Sequence, residues 1–414
     1  MSTVTPWRRL RLLAASIGPG IFMIGYIIGT GSVTSMSSAG ASYGMTLVWT
    51  LILASLFNHV MVVALSRLTI LSGETTLRSF RKGFGAPVTL FLIVGMAGTQ
   101  LTSIIGVMAI VADVVRQWSL QVLGTPIPTL ATAITITAVL LGLFWVGKHQ
   151  FFLRALAAMV TVMGAAFVFT AIKVAPDAGT MLSGIIPSVP VGDNPELLLA
   201  GMIGTTMASV VLFTRAILVQ EKGWTMADYH EVVRDSAVAN TLLFFLNAAI
   251  MACAAGTLYL DGTPVALAID MVRSLEPLAG NVAVAGFSLG IVAAGMSSLF
   301  PNYLLGPWLA ADFGGVKRDM TKPSYRLMVV GAALLGLVVP IFGGRPVPLM
   351  IASQAVSPLV MPLMAVFVWI LVNRTSSVGD RKPSALLNFS LGVTVLFTLY
   401  AAYLAVTGFI ASLS

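Results

Sequence analysis

The stretch IGYIIGTGSVTSMSS, residues 24–38, places two glycines and two hydroxyl residues at Gly29-Thr30-Gly31-Ser32, between apolar segments that would otherwise make one membrane-spanning helix. That composition gives poor helix propensity. In hydrocarbon, every backbone N–H and C=O freed by such a break must find a partner. An interrupted helix at membrane depth therefore lines a cavity and faces a solute, and paired interruptions in two halves of a chain mark the substrate site of a secondary transporter. A second candidate break stands at Gly204-Thr205-Thr206-Met207-Ala208-Ser209. Close helix packing through small residues is the competing explanation for the glycines.

Working outward, the 414 residues are 57% hydrophobic and only 9% charged, with a mean hydropathy of +0.96. These values exclude a soluble globular domain and indicate a polytopic membrane protein. Spans of about 20 apolar residues are expected over 14–42, 45–71, 87–115, 127–147, 151–174, 196–219, 236–260, 280–310, 325–343, 347–373 and 386–412, eleven in all. The alternating ten-residue segments of a β-barrel are absent. The fold class is thus an all-α membrane protein. The single cysteine, Cys253, falls inside a span and is read as a packing residue.

The basic N-terminus, with Arg8, Arg9 and Arg11, imitates a secretory signal, but its apolar part runs too long and ten more spans follow, so it is read as a retained first helix. With the N-terminus inside, the clusters Arg67/Arg78/Arg81/Lys82, Lys148/Arg154, Lys222/Arg234, Lys317/Arg318/Lys322/Arg326 and Arg374/Arg381/Lys382 all face the cytoplasm, and only Arg116, Lys173, Arg273 and Arg345 face outward. Eleven spans put the C-terminus outside. The net charge of +8 then follows from topology and anionic lipid headgroups, and nucleic-acid binding is not needed to explain it. The expected partners are the lipid bilayer and a small solute or ion, in a prokaryotic cytoplasmic membrane. Oligomeric state leaves no trace in the sequence.

The whole chain is treated as one transmembrane domain. Its first repeat would cover about 14–174, its second about 196–373, with an extra helix at about 386–412. Five spans per half invert the second half relative to the first, which permits alternating access around a midplane site. The segment EKGWTMADYHEVVRD, residues 221–235, mixes charges at helical spacing and is expected to form a short surface helix.

The helix start after Gly29-Thr30-Gly31-Ser32 carries a partial positive charge suited to an anion, and the preceding half-helix would suit a cation. In the sixth span, Thr205, Thr206 and Ser209 offer hydroxyls, although such groups also bond back to their own helix. Arg215, within about two turns of the second break, could face an aqueous vestibule, pair with a carboxylate, or snorkel to the headgroups. Other polar residues inside the spans, among them Asn58, His59, Gln100, Ser103, Asn240, Asn247, Ser297, Ser298, Asn302, Ser353 and Gln354, are mostly interhelical glue. Asp113 beside Arg116 reads as an interfacial charge. No nucleotide-binding loop, metalloprotease signature or nucleophile elbow is present, and clustered acid and base groups inside the spans are missing. An enzyme is not expected.

Gly18-Pro19-Gly20, the run from Gly29 through Ser32 to Ala39-Gly40-Ala41, and Tyr43-Gly44 resemble the opening of the Nramp family of divalent-metal transporters. Gly204-Thr205-Thr206 with Leu218-Val219-Gln220 resembles its sixth helix, Gly295-Met296-Ser297-Ser298 its eighth, and Ser353-Gln354 with Pro362 its tenth. The resemblance spans most of the chain and implies the LeuT-type fold, an inverted 5+5 repeat with helices one and six broken at the substrate site. Where the family carries Asp-Pro-Gly-Asn, this chain has Gly29-Thr30-Gly31-Ser32, and where it carries Met-Pro-His, this chain has Ala208-Ser209-Val210. Acidic positions of the third helix match Gln100 and Ser103, and a further histidine of the sixth matches Arg215, so these three become candidates for gating or coupling. None of the usual Nramp metal ligands is present at the matching positions.

A Gly-x-Gly-Ser break also resembles the first helix of amino-acid transporters of the amino acid, polyamine and organocation superfamily, where backbone N–H groups hold a carboxylate. The expected substrate is therefore a small carboxylate-bearing organic solute at Gly29, Thr30, Gly31, Ser32, Thr205, Thr206, Ala208, Ser209 and Gln354. A hydrated divalent cation such as Mg²⁺, or a transport-inactive sensor or scaffold, are the alternatives. No cofactor is expected, and the coupling ion, Na⁺ or H⁺, stays open.

Overall fold

The computed structural model describes residues 29–147, 149–174, 176–273, 281–379 and 381–413. The basic N-terminus, Gly18-Pro19-Gly20, the opening half of the first expected span and Lys148 lie outside the described residues. In chain order the helices are α1 (Thr30–Tyr43), α2 (Val48–Ser72), α3 (Thr76–Phe84), α4 (Ala86–Leu123), α5 (Thr129–Val146), α6 (His149–Val174), α7 (Ala178–Ser183), α8 (Pro195–Thr206), α9 (Ser209–Lys222), α10 (Tyr229–Gly256), α11 (Asp270–Arg273), α12 (Asn281–Gly314), α13 (Pro323–Leu335), α14 (Val338–Phe342), α15 (Pro346–Ala355), α16 (Ser357–Asn373), α17 (Thr375–Val378) and α18 (Ala385–Leu413). Among the described residues, ten helices are long and apolar enough to cross a membrane, counting α8 with α9, α13 with α14 and α15 with α16 as single crossings. They coincide with the second to eleventh expected spans. The structure differs at two of them.

The third span continues to Leu123, beyond the expected end at 115. The Asp113 carboxylate is buried and accepts a hydrogen bond of 3.1 Å from the Ala268 N–H. The segment 221–235 forms no separate surface helix either. Thr225 opens a capping box with Asp228, a short 3-10 turn follows, and the chain runs straight into α10. The charged residues from Tyr229 onward are the first turns of the seventh span. Between the second and third spans, α3 is an amphipathic segment whose Leu77 and Phe80 are buried, with Phe84 stacked on Phe367 of α16 and Phe80 edge-on to it.

Interior helices are held by polar pairs as well as by packing. Asn58 of α2 donates to Asn240 of α10 at 2.8 Å, and the His59 ring lies 2.8 Å from the Ser236 hydroxyl. Cys253 is buried between α10 and α6 and donates to the Phe167 carbonyl. These are the glue roles that intramembrane polar groups commonly take. Two glycines allow backbones to meet. A Cβ on Gly40 would lie 2.2 Å from the Met251 carbonyl oxygen of α10, and one on Gly204 would lie 2.0 Å from the Gln354 carbonyl oxygen of α15.

The strongest single tie is an ion pair away from both breaks. Arg215 of α9 is fully buried and donates from Nη1 to Asp235 Oδ2 at 2.6 Å and from Nε to Ser66 Oγ at 2.8 Å, with the guanidinium 5.2 Å from the Trp224 ring centroid. It joins α9, α2 and the first turns of α10. Of the three settings expected for Arg215, pairing with a carboxylate is the one observed. Asp235→Asn is expected to leave a buried guanidinium uncompensated and to cost about 3–5 kcal/mol, while Arg215→Met combined with Asp235→Leu recovers most of that loss. Thermal denaturation of the two variants in detergent measures both. Gly204→Ala should also destabilise, by about 1–3 kcal/mol, because the atom it meets belongs to rigid backbone. A Gly204→Ala protein that melts with the parent would show that α8 and α15 can separate freely.

Candidate functional site

At the first expected break, Gly29 has an extended backbone (φ −104°, ψ −172°) and its carbonyl accepts from the Val33 N–H at 3.3 Å; α1 starts at Thr30, so Thr30, Gly31 and Ser32, expected in the break, form the first turn of the helix instead. The second falls at Met207 (φ −109°, ψ 53°) and Ala208 (φ −65°, ψ 124°), between α8 and α9. Hydroxyls join the two: Ser32 Oγ lies 3.1 Å from Thr205 Oγ1. The tenth span has a lesser irregularity at Val356, between α15 and α16, two residues after Gln354.

Where these interruptions converge, a cavity of about 50 Å³ is lined by Gly29, Gly31, Thr205, Ala208, Gln354, Gln100, Ser103, Ser298, Asn302, Val107 and Met350. Seven of the twelve residues singled out from the sequence meet here, from α1 and its cap, α4, the second break and α15. The other five stand back from it. Thr206 Oγ1 bonds to its own helix at the Met202 carbonyl, 2.8 Å away. Ser209 caps the far side of the break, with its N–H 3.4 Å from Ser357 Oγ and its hydroxyl 3.5 Å from Thr99 Oγ1. Thr30 is buried with its methyl toward Gly295, Ser32 is taken up by Thr205, and Arg215 is committed to Asp235.

Four lining residues were not among the expected site positions. Ser298 and Asn302 were visible as polar residues in an apolar span but were indistinguishable from interhelical glue. Val107 and Met350 carry no sequence signal, because an apolar side chain within an apolar span is the expected background. Both belong to the site through helix geometry: Val107 lies one turn beyond Ser103, and Met350 one turn before Gln354.

The chemistry of this lining is neutral. Three carboxamides, from Gln100, Asn302 and Gln354, and three hydroxyls, from Ser103, Thr205 and Ser298, are its polar side chains among the described residues, and no charged side chain among them lines it. Gln354 Nε2 lies 3.4 Å from Ser103 Oγ and 3.3 Å from Ser353 Oγ, which turns its carbonyl oxygen toward other partners. The carbonyls closing α8 add a partial negative charge, and the starts of α1 and α9 add partial positive ones. Among the described residues, no group of three or more His, Cys, Asp or Glu side chains could hold a metal ion. A cavity of this size holds roughly three to five waters, so in this conformation it fits a small ion with part of its shell.

The model of the family described as natural resistance-associated macrophage protein-like, Nramp, matches residues 20–407. The divalent metal cation transporter MntH of Erwinia tasmaniensis is 27% identical over 405 residues, covering 95% of this chain and 94% of its own length. That of Klebsiella pneumoniae is 28% identical over 383 residues, covering 90% and 88%. Among solved structures, the Eremococcus coleocola manganese transporter superposes with a TM-score of 0.76 at 16% identity, over 99% of this chain and 90% of that one. The inward-facing conformation of Mhp1, a LeuT-fold protein, gives 0.57 at 16%, over 96% and 89%. The expectation of a LeuT-type fold holds. The expectation of a carboxylate-bearing organic solute is overturned, because the relatives that match nearly end to end are divalent metal cation transporters; the absent aspartate had been given more weight than the agreement of the rest of the chain. By its match from residue 20 to residue 407, this integral membrane protein belongs to the Nramp family.

Proposed function

We propose that this protein carries a divalent metal cation across a bacterial cytoplasmic membrane by alternating access, with the ion held at the helix breaks by neutral oxygens and by water that it keeps. The observation that carries the reading is the convergence of Gln100, Asn302 and Gln354 with the hydroxyls of Ser103, Thr205 and Ser298 on one cavity between the two breaks. Carboxamide and hydroxyl oxygens are hard donors, suited to hard cations. Without a carboxylate, full dehydration of a doubly charged ion would go uncompensated. The ion therefore retains several waters, as Mg²⁺ does by preference, and the space available supports that.

The basic clusters favour a cytoplasmic N-terminus and an outward C-terminus. Halves at about 14–174 and 196–373, inverted relative to each other, would rock around the fixed site, with 386–412 as an added helix.

Two measurements test this. Thermal stability of the purified protein should rise with Mn²⁺ or Mg²⁺ and return on chelation, reaching about 2.7 kcal/mol at a concentration 100 times Kd. In proteoliposomes, uptake of the same ions should saturate and be mutually competitive. A protein that neither ion stabilises or crosses with would overturn the proposal. Gly31→Val should reduce uptake to background with folding retained, because the added side chain meets only the flexible ends of Met350 and Gln354, at 2.9 and 3.0 Å, and drives them into the cavity. Full uptake by a folded Gly31→Val protein would move the site elsewhere.

A further inference from the structure

Met350 is 1% exposed and, among the described residues, contributes the only sulfur to the lining of the cavity. Two glycines make room for it from opposite sides. A Cβ on Gly31 of α1 would lie 2.9 Å from Met350 Cε, and a Cβ on Gly106 of α4 would lie 2.9 Å from Met350 Sδ. Any larger residue at either position would push the thioether out of its seat. The sulfur's own polar neighbour is weak, the Ser353 hydroxyl at 3.9 Å, and that hydroxyl donates at 2.7 Å to the Met350 carbonyl instead. Met350 stands one helical turn from Gln354, so its side chain and that carboxamide reach the cavity from the same face of α15.

From this geometry we infer that Met350 determines which divalent cations the site prefers, by offering one soft donor within a ring of hard oxygens. The inference rests on the divalent-cation reading above and deepens it. A thioether is polarizable and carries no charge, so it adds little for Mg²⁺ or Ca²⁺ but favours thiophilic ions. Its three rotatable bonds let the sulfur swing toward an ion without moving the helix. An ion that keeps part of its water could exchange one water for this sulfur, a step open to Cd²⁺ and closed in practice to Mg²⁺, which gives up water reluctantly.

The test compares Cd²⁺ and Mg²⁺ uptake in proteoliposomes containing the wild-type protein and Met350→Leu, a substitution that conserves volume and apolarity. The expected result is a fall of about tenfold in apparent Cd²⁺ affinity relative to Mg²⁺ affinity, the lower end of the effect of partners at metal sites, whatever the change in overall uptake. Met350→Gln, which replaces sulfur by a hard oxygen, should move the ratio further toward Mg²⁺, and it keeps the test alive if the leucine variant folds poorly. A wild type that carries both ions, with variants whose Cd²⁺ to Mg²⁺ ratio is unaltered, would show that Met350 only packs. A wild type that carries neither ion would overturn the metal-transport reading, and this inference with it.

Discussion

The structure depends on a constraint that hydrocarbon imposes on the backbone. A helix that stops inside the membrane leaves N–H and C=O groups that lipid cannot satisfy, so each break must be covered by protein or by water in a cavity. Here the two breaks cover each other. Ser32 and Thr205 meet at 3.1 Å, and Gly204 lets α8 lie against the Gln354 carbonyl where any side chain would collide. The third irregular point, at Val356, is carried to the same place by that contact. The site is thus the meeting point of three interruptions, and the uninterrupted helices α2, α10 and α18 form the frame around it.

Fixed charge is kept out of that meeting point. The buried ion pair of Arg215 and Asp235 lies along α9, beyond the break, where it ties three helices together. In low dielectric, a lone guanidinium at the cavity would repel a cation strongly. Paired with Asp235 and bonded to Ser66, it presents almost no net field there. What reaches the cavity is a set of dipoles: carboxamides, hydroxyls and the ends of broken helices. Such a lining discriminates by how much water an ion must surrender and by the softness of the donor that replaces it, more than by charge alone.

The sequence made the frame legible because hydrocarbon thickness imposes a length on every span. Ten of the eleven expected spans have counterparts among the described residues, nine of them ending within about four residues of the forecast, and a helix begins at Thr30, directly after Gly29. The errors lie where one pattern serves two structures. Residues 221–235 have helical charge spacing, but spacing does not tell whether a helix stands alone or continues into a span. The end of α4 was set too early because it cannot be read from apolar residues that run on to Leu123. Arg215 could not be assigned to Asp235 because the nineteen intervening residues finish α9, turn beyond Lys222 and open α10, a path whose geometry no local signal encodes. The site itself was half legible. Glycines and amides inside apolar spans stand out, whereas Met350 and Val107 do not, although they close the same cavity.

The substrate expectation failed for a related reason. A missing aspartate is conspicuous, and its absence argued against a cation when the first break was considered alone. The cost of holding a divalent ion is shared, however, among all groups that face it and the waters that stay bound. Six neutral polar side chains converge on the cavity, with the carbonyl end of α8 beside them, and each replaces part of what one carboxylate would supply. The bond that results is weaker. For a carrier that must release its ion on the other side, weak binding is an advantage, since a site has to be favourable enough to fill and shallow enough to empty. On the proposed reading, a site without the aspartate would therefore be shallower and its occupant more hydrated, while the sign of the charge it accepts would stay the same.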